Sequence, residues 1–134
     1  MAKITNIRAA LETRLVSLTP KWPIALDNVN YKPVTGKKWM RATLLPAQTQ
    51  AYLGTNAGEK WHGDFVVSVF APTNKGAGEA ERRAEEILAH FPKGLSVNSG
   101  GVYVVCGQPY VNKGYPESGW YSQIVYVPWH SFII

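Results

Sequence analysis

From Leu95 to Ile134 the chain carries two charged side chains, Lys113 and Glu117, while the same stretch holds Tyr103, Tyr110, Tyr115, Trp120, Tyr121, Tyr126, Trp129 and Phe132. A segment so poor in charge and so rich in rings must pack against the rest of the chain or against a protein partner, because that much bare aromatic surface drives association in water. The whole chain agrees: 46% of its residues are hydrophobic and 17% charged, against a usual charged share of about 25%, which excludes intrinsic disorder. At 134 residues it forms one domain able to bury about two thirds of its unfolded surface without staples. The lone Cys106 excludes an internal disulfide, a four-cysteine zinc site and a CxxC redox pair.

Charge is spread unevenly. Residues 1–78 hold ten basic and four acidic side chains, and residues 79–86 hold four acidic and two basic ones. The N-terminal Met1-Ala2-Lys3-Ile4-Thr5-Asn6 lacks the apolar core of a secretory signal. No window approaches the run of about 18 apolar residues that a membrane span needs, so a soluble intracellular protein without membrane contact is expected.

Ile4, Ile7, Leu11, Leu15 and Leu18 recur at spacings of three and four, which predicts an amphipathic helix ended by Thr19-Pro20. Two prolines forbid helix around Trp22-Pro23-Ile24-Ala25-Leu26, which reads as extended chain entering a turn at Asp27-Asn28. Lys38 to Leu45 predicts a strand with Met40, Ala42 and Leu44 on one face and Trp39, Arg41, Thr43 and Leu45 on the other. Pro46 to Lys60 reads as a long connection, a length that is usually functional. Asp64 to Phe70 predicts a second strand stopped by Ala71-Pro72. Ala80, Ala84, Ile87, Leu88 and Phe91 predict a second helix, with Glu79, Glu81, Arg82, Arg83, Glu85 and Glu86 on its wet side, closed by Phe91-Pro92-Lys93-Gly94. Gly101–Cys106 and Gly119–Pro128 predict two more strands. The order implies a single α+β domain over residues 1–134: a mixed or antiparallel β-sheet with two α-helices packed on one face and a long loop at about 46–60.

Little in this pattern points to catalysis. Asn74-Lys75-Gly76-Ala77-Gly78 lies where a phosphate-cradling loop would lie, but it lacks the required glycine spacing, and Glu79 and Glu81 occupy the place of a bound anion. Those glutamates instead complement the helix dipole. His62, His90 and His130 have no second ligand at metal-binding spacing, so no metal and no other cofactor is expected. His62 and Asp64 share a strand face as a base and its orienter would, yet no nucleophile motif accompanies them. Cys106 sits in an apolar strand without an adjacent base. The basic stretch Lys32, Lys37, Lys38, Trp39 and Arg41 could track a phosphate backbone, and a lysine-guarded strand edge would look the same. Trp129 to Ile134 either finish the sheet or dock into a neighbouring subunit.

The ordered elements resemble the tail terminator, or tail completion, proteins of long-tailed bacteriophages, the group that includes the U-type minor tail protein of lambdoid phages. The resemblance is carried by the first helix with Ile7, Leu11 and Leu15, by Trp39-x-Arg41, and by Gly63-x-Phe65-x-Val67-x-Val69-x-Ala71-Pro72. Gly76 and Gly78, the helix with Ala80, Ala84, Ile87 and Phe91, and Ile124-Val125-Tyr126-Val127-Pro128 complete it. It implies a non-catalytic virion protein, made in the host cytoplasm, at the head-proximal end of the tail. There it would assemble with itself as a six-subunit ring on the major tail tube protein, stop tube polymerisation and meet the head-tail connector or neck protein. DNA would pass through the ring without sequence-specific binding.

Such a ring needs heterologous contacts. The expected tube or channel contacts are Lys37, Lys38, Arg41, Lys60, Trp61 and His62, and the expected subunit interface comprises Tyr115, Trp120, Trp129, Phe132 and Ile134. Two alternatives stay open: a neck or head-completion protein of the same junction, and a basic nucleic-acid-binding module.

Overall fold

A computed structural model describes residues 3–51, 58–74 and 76–133. The first stripe forms α1 (Lys3–Val16), which buries Ile7, Ala10, Leu11 and Leu15. Extended chain then gives β1 (Ile24–Ala25), β2 (Trp39–Pro46), β3 (Gln50–Ala51) and β4 (Glu59–Pro72). After α2 (Gly78–His90) come β5 (Ser96–Ser99), β6 (Val102–Cys106), β7 (Tyr110–Val111), β8 (Tyr115–Glu117) and β9 (Trp120–Ile133). Among the described residues the nine strands join one sheet: six follow the order β1-β2-β4-β9-β6-β5, while β3 pairs with β4 and both β7 and β8 pair with β9. β1 runs parallel to β2, and the other pairings are antiparallel.

The alternation in β2 comes out as expected. Met40, Ala42 and Leu44 are buried, together with Phe65, Val67 and Val69 of β4 and Val125 and Val127 of β9, in one core that also holds the apolar stripes of α1 and α2. Both helices therefore cover the same face of the sheet. Against the opposite face lies a smaller cluster: Trp39 stacks on Phe70 with ring centroids 4.1 Å apart, and Trp120 meets Trp39 edge-on at 5.9 Å.

Three expectations need correction. The stretch 46–60 is not all loop: Pro46 ends β2, and Gln50 and Ala51 pair with Lys60 and Glu59, so this region is the outer half of a long hairpin. Its tip, residues 52–57, lies outside the described residues. Between the Pro46–Gly63 and Gln50–Lys60 pairs, residues 47–49 face only 61 and 62, a one-residue β-bulge. Ala47 N donates to His62 O across it at 2.8 Å. Position 63 must be glycine there, since a Cβ would stand 2.2 Å from Leu45 O and 2.8 Å from Pro46 Cα.

Second, Pro128 does not end the last strand. Pro128 O accepts from Gly107 N at 2.7 Å, so the missing N–H of Pro128 faces the irregular stretch after β6 and costs no bond to β4. Residues 129–133 consequently finish the sheet; Ile134 lies outside the described residues. Third, Arg83 is not on the wet side of α2. It is 1% exposed, its guanidinium lies 4.9 Å from the Trp22 ring, Nε reaches Met40 Sδ at 3.4 Å and Nη1 pairs with Glu86 at 3.0 Å. Ser96–Ser99, which the sequence pattern left unassigned, is a strand. It turns into β6 through Gly100 and Gly101, both at positive φ as a two-residue hairpin turn requires.

The two helices are also tied at their ends. Arg8 pairs with Asp27 at 2.6 Å, and Asp27 accepts from Leu44 N at 3.1 Å, so one carboxylate fixes α1 to the β2 edge. Arg14 Nε donates to His90 O at 3.0 Å and His90 Nε2 to Arg14 O at 2.7 Å, joining the C-terminal ends of α1 and α2.

Candidate functional site

Register assigns each exposed side chain to a face, because directly opposed residues of an antiparallel pair point the same way. The helix-free face carries, row by row across β2, β4 and β9, Trp39-Phe70-Ser122, Arg41-Ser68-Ile124, Thr43-Val66-Tyr126 and Leu45-Asp64-Pro128. Beyond these come His62-His130 and Lys60-Phe132. Tyr110 lies opposite Tyr126 and stacks on it at 5.0 Å, Tyr115 lies opposite Ser122, and Tyr103 stands two residues from Val105, the partner of His130. Tyr103 (60% exposed), Phe132 (58%), Leu45 (50%), Tyr110 (47%) and Tyr115 (39%) thus put half of the ten exposed large hydrophobic side chains of the described residues on one sheet face.

The expected tube or channel contacts separate into two groups. Lys60 and His62 sit together on the helix-free face of the hairpin arm, with Lys60 Nζ 5.9 Å from the Phe132 ring. Lys37 and Lys38 lie at the other end of the sheet, beyond the Trp39–Phe70 pair and about 33 Å away at 3.3 Å per residue of β4. Lys38 is moreover engaged on the helix side, 3.4 Å from Glu79 and 4.9 Å from the Trp22 ring. Arg41 lies between the two groups, over Phe70 at 5.0 Å. Trp61 points the other way: it packs against the main core, donates to Glu59 at 3.1 Å, and shares that carboxylate with Lys3 at 2.7 Å, which holds Glu59 below its usual pKa. No continuous basic track joins these residues.

Of the expected interface residues, Tyr115 and Phe132 are exposed on the helix-free face. Trp120 closes the small aromatic cluster and donates its indole N–H to Lys37 O at 3.2 Å. Trp129, at 2% exposure, belongs to the core beneath the helices and has no surface to offer. Tyr103 and Tyr110, which belong to the ring-rich C-terminal stretch but not to the expected interface residues, join the same face.

The chemistry available is limited. Lys60, His62, Asp64 and His130, with Gly63 between them, line an open cleft of about 360 Å³ on the helix-free face. Burial, reinforced by Lys60, holds His130 below the ordinary imidazole value. The one thiol, Cys106, is paired in register with Trp129 and so points to the helix face, opposite to His62 and His130; burial pushes its pKa up to about 11. A base and a nucleophile therefore stand on opposite sides of the sheet. Among the described residues no group of three or more His, Cys, Asp or Glu side chains is placed to hold a metal ion.

Fold and surface together define a small two-layer α+β domain whose helix-free sheet face is rich in exposed aromatic side chains. The chain belongs to the phage tail terminator family, whose sequence profile, described as phage tail terminator protein, matches residues 6–129. A solved structure is similar along its length, with a TM-score of 0.77 and 27% identity over 96% of this chain and 94% of that one. Among curated proteins none matches. Family membership makes the protein a structural component of the virion tail with a role in tail completion.

Proposed function

We propose that the protein forms a six-subunit ring that caps the last ring of the tail tube at the head-proximal end, ends tube polymerisation and provides the surface on which the head connector sits. The observation that carries this reading is the family match across nearly the whole chain, from residue 6 to 129. Two features of the fold support it. A monomer with this much aromatic surface on one sheet face calls for a protein neighbour. The hairpin arm of β3 and β4 carries the sheet beyond the end of β2 and gives the chain a further surface for a neighbouring ring.

Termination then follows from surface mismatch: one ring face fits the tube, and the other offers nothing on which a further tube ring can pair. In this reading Lys38 serves the fold, held 3.4 Å from Glu79 and over the Trp22 ring. The dispersed cations make a sequence-specific nucleic-acid module the weaker reading. Negative-stain electron microscopy of the concentrated protein, alone and with purified tail tubes, is the test. Six-fold rings of about 89 kDa, six times the 14.8 kDa chain, that seat on tube ends and stop further growth are expected. Tubes that elongate unchanged in its presence would refute the proposal.

A further inference from the structure

We infer that the subunit contact of this ring is made by the helix-free sheet face of one copy against the outer side of α2 of the next copy, an assignment that rests on the ring reading above. The two surfaces are complementary in charge. Across β2, β4 and β9 the bare face holds Arg41, Lys60, His62 and His130 against one carboxylate, Asp64. On α2, Glu81 and Glu85 are exposed one turn apart, with Glu86 beside them already held by Arg83. Arg82 is the one cation on that outer side. Arg41, Lys60, Asp64, Glu81, Arg82 and Glu85 have no ion-pair partner among the described residues, so each copy presents two unpaired cations against one carboxylate on the sheet face and two unpaired carboxylates against one cation on α2.

The apolar side chains select a protein occupant over passing duplex. Tyr103, Tyr110, Phe132 and Leu45 between the cations gain from burial under a packed helix, and a sliding phosphate backbone offers them nothing.

Edge pairing is the poorer route on the β1/β2 side. The Met40 N–H is taken by Pro23 O at 2.8 Å, the Leu44 N–H by Asp27 at 3.1 Å, and Pro46 has none. Because the two surfaces are different patches of one molecule, the contact is heterologous: a dimer leaves one of each uncovered, and a ring covers them all when the rotation between copies closes.

Charge reversal tests the contact. E81K/E85K and R41E/K60E are each expected to lower the ring fraction at least about tenfold, at a concentration where the unaltered protein is mostly ring, since each puts like charges face to face. In an equimolar mixture every contact between the two variants carries opposite charges, so rings of alternating copies are expected to re-form, and the four-fold variant E81K/E85K/R41E/K60E restores opposite charges at every contact and is expected to recover the ring on its own. Light scattering and negative stain read the outcome, and thermal unfolding confirms that each variant is folded. Rings unaffected by either reversal, or not recovered by the four-fold variant, overturn the assignment and leave the ring reading standing. Reversal of Arg41 and Lys60 that spares the ring but weakens duplex DNA binding would give this face to the channel instead. Absence of rings in the unaltered protein, alone and on tube ends, removes the ring reading itself.

Discussion

Replacing Gly63 with alanine isolates the device that shapes the hairpin arm. The added Cβ would stand 2.2 Å from Leu45 O and 2.8 Å from Pro46 Cα, about 1 Å inside normal contact, and both neighbours are backbone of the paired strand. No side chain can rotate away, so the β2–β4 ladder must open where the bulge begins. One or two ladder hydrogen bonds, including that from Ala47 N to His62 O at 2.8 Å, weaken at about 0.5–1.5 kcal/mol each, with strain of about 1 kcal/mol from overpacking. Stiffening of the unfolded chain returns about 0.4–1 kcal/mol. The net cost is about 1–3 kcal/mol, or a fall in Tm of about 4–11 °C for a chain of this length.

Gly107→Ala is the control, because its Cβ would meet Pro128 Cβ at an ordinary 3.4 Å. Differential scanning calorimetry of both variants gives the stability difference, and amide exchange gives its location, with faster exchange expected at residues 47–51 and 59–62 and little change at α1. A Gly63→Ala variant no less stable than Gly107→Ala, with unchanged exchange in the arm, would refute the bulge argument.

Two further predictions concern buried charge and acid. Arg83→Ala should cost about 2–4 kcal/mol in urea unfolding because it empties the space between Trp22 and Met40, and Arg83→Met should recover at least half of that, since it refills the space and removes a charge with one carboxylate partner; equal losses would show that the charge, not the stem, is what matters. Burial holds His90 and His130 below their ordinary pKa, so just below the unfolded value of about 6.5 the unfolded chain binds more protons than the folded one. This part of the stability is complete above about pH 6.5 and is lost as pH falls through the folded-state values. Tm should therefore decline between pH 7 and pH 5, less so in H90Q/H130Q, and a flat profile in the unaltered protein would contradict it.

Much of the architecture could be read from periodicity. The spacings in α1 and the alternation in β2 name the residues that end up in the core, because side-chain direction within one helix or strand depends only on local backbone geometry. Arg83 shows where residue type misleads: it stands three after Ala80 and four before Ile87, on the apolar stripe, and its spacing was the better guide than its charge. Its stem packs on Trp22 while its head reaches Glu86 near the surface. Trp129 shows the converse, an aromatic residue near the terminus that alternation assigns to the core once β9 is known to run past Pro128.

What the chain alone determined is the kind of elements, their order and the apolar faces they must bury, together with a charge-poor C-terminal third that needs cover. The pairing of strands decided the rest: that 46–60 belongs to a bulged hairpin, that β9 continues beyond its proline along a strand up to 74 residues away, and that both helices choose the same face and leave Tyr103, Tyr110, Tyr115 and Phe132 on the other. Periodicity is a property of neighbours along the chain, whereas register and the choice of covered face are set by which distant surfaces fill one another's space, and that balance exists only once the core has closed.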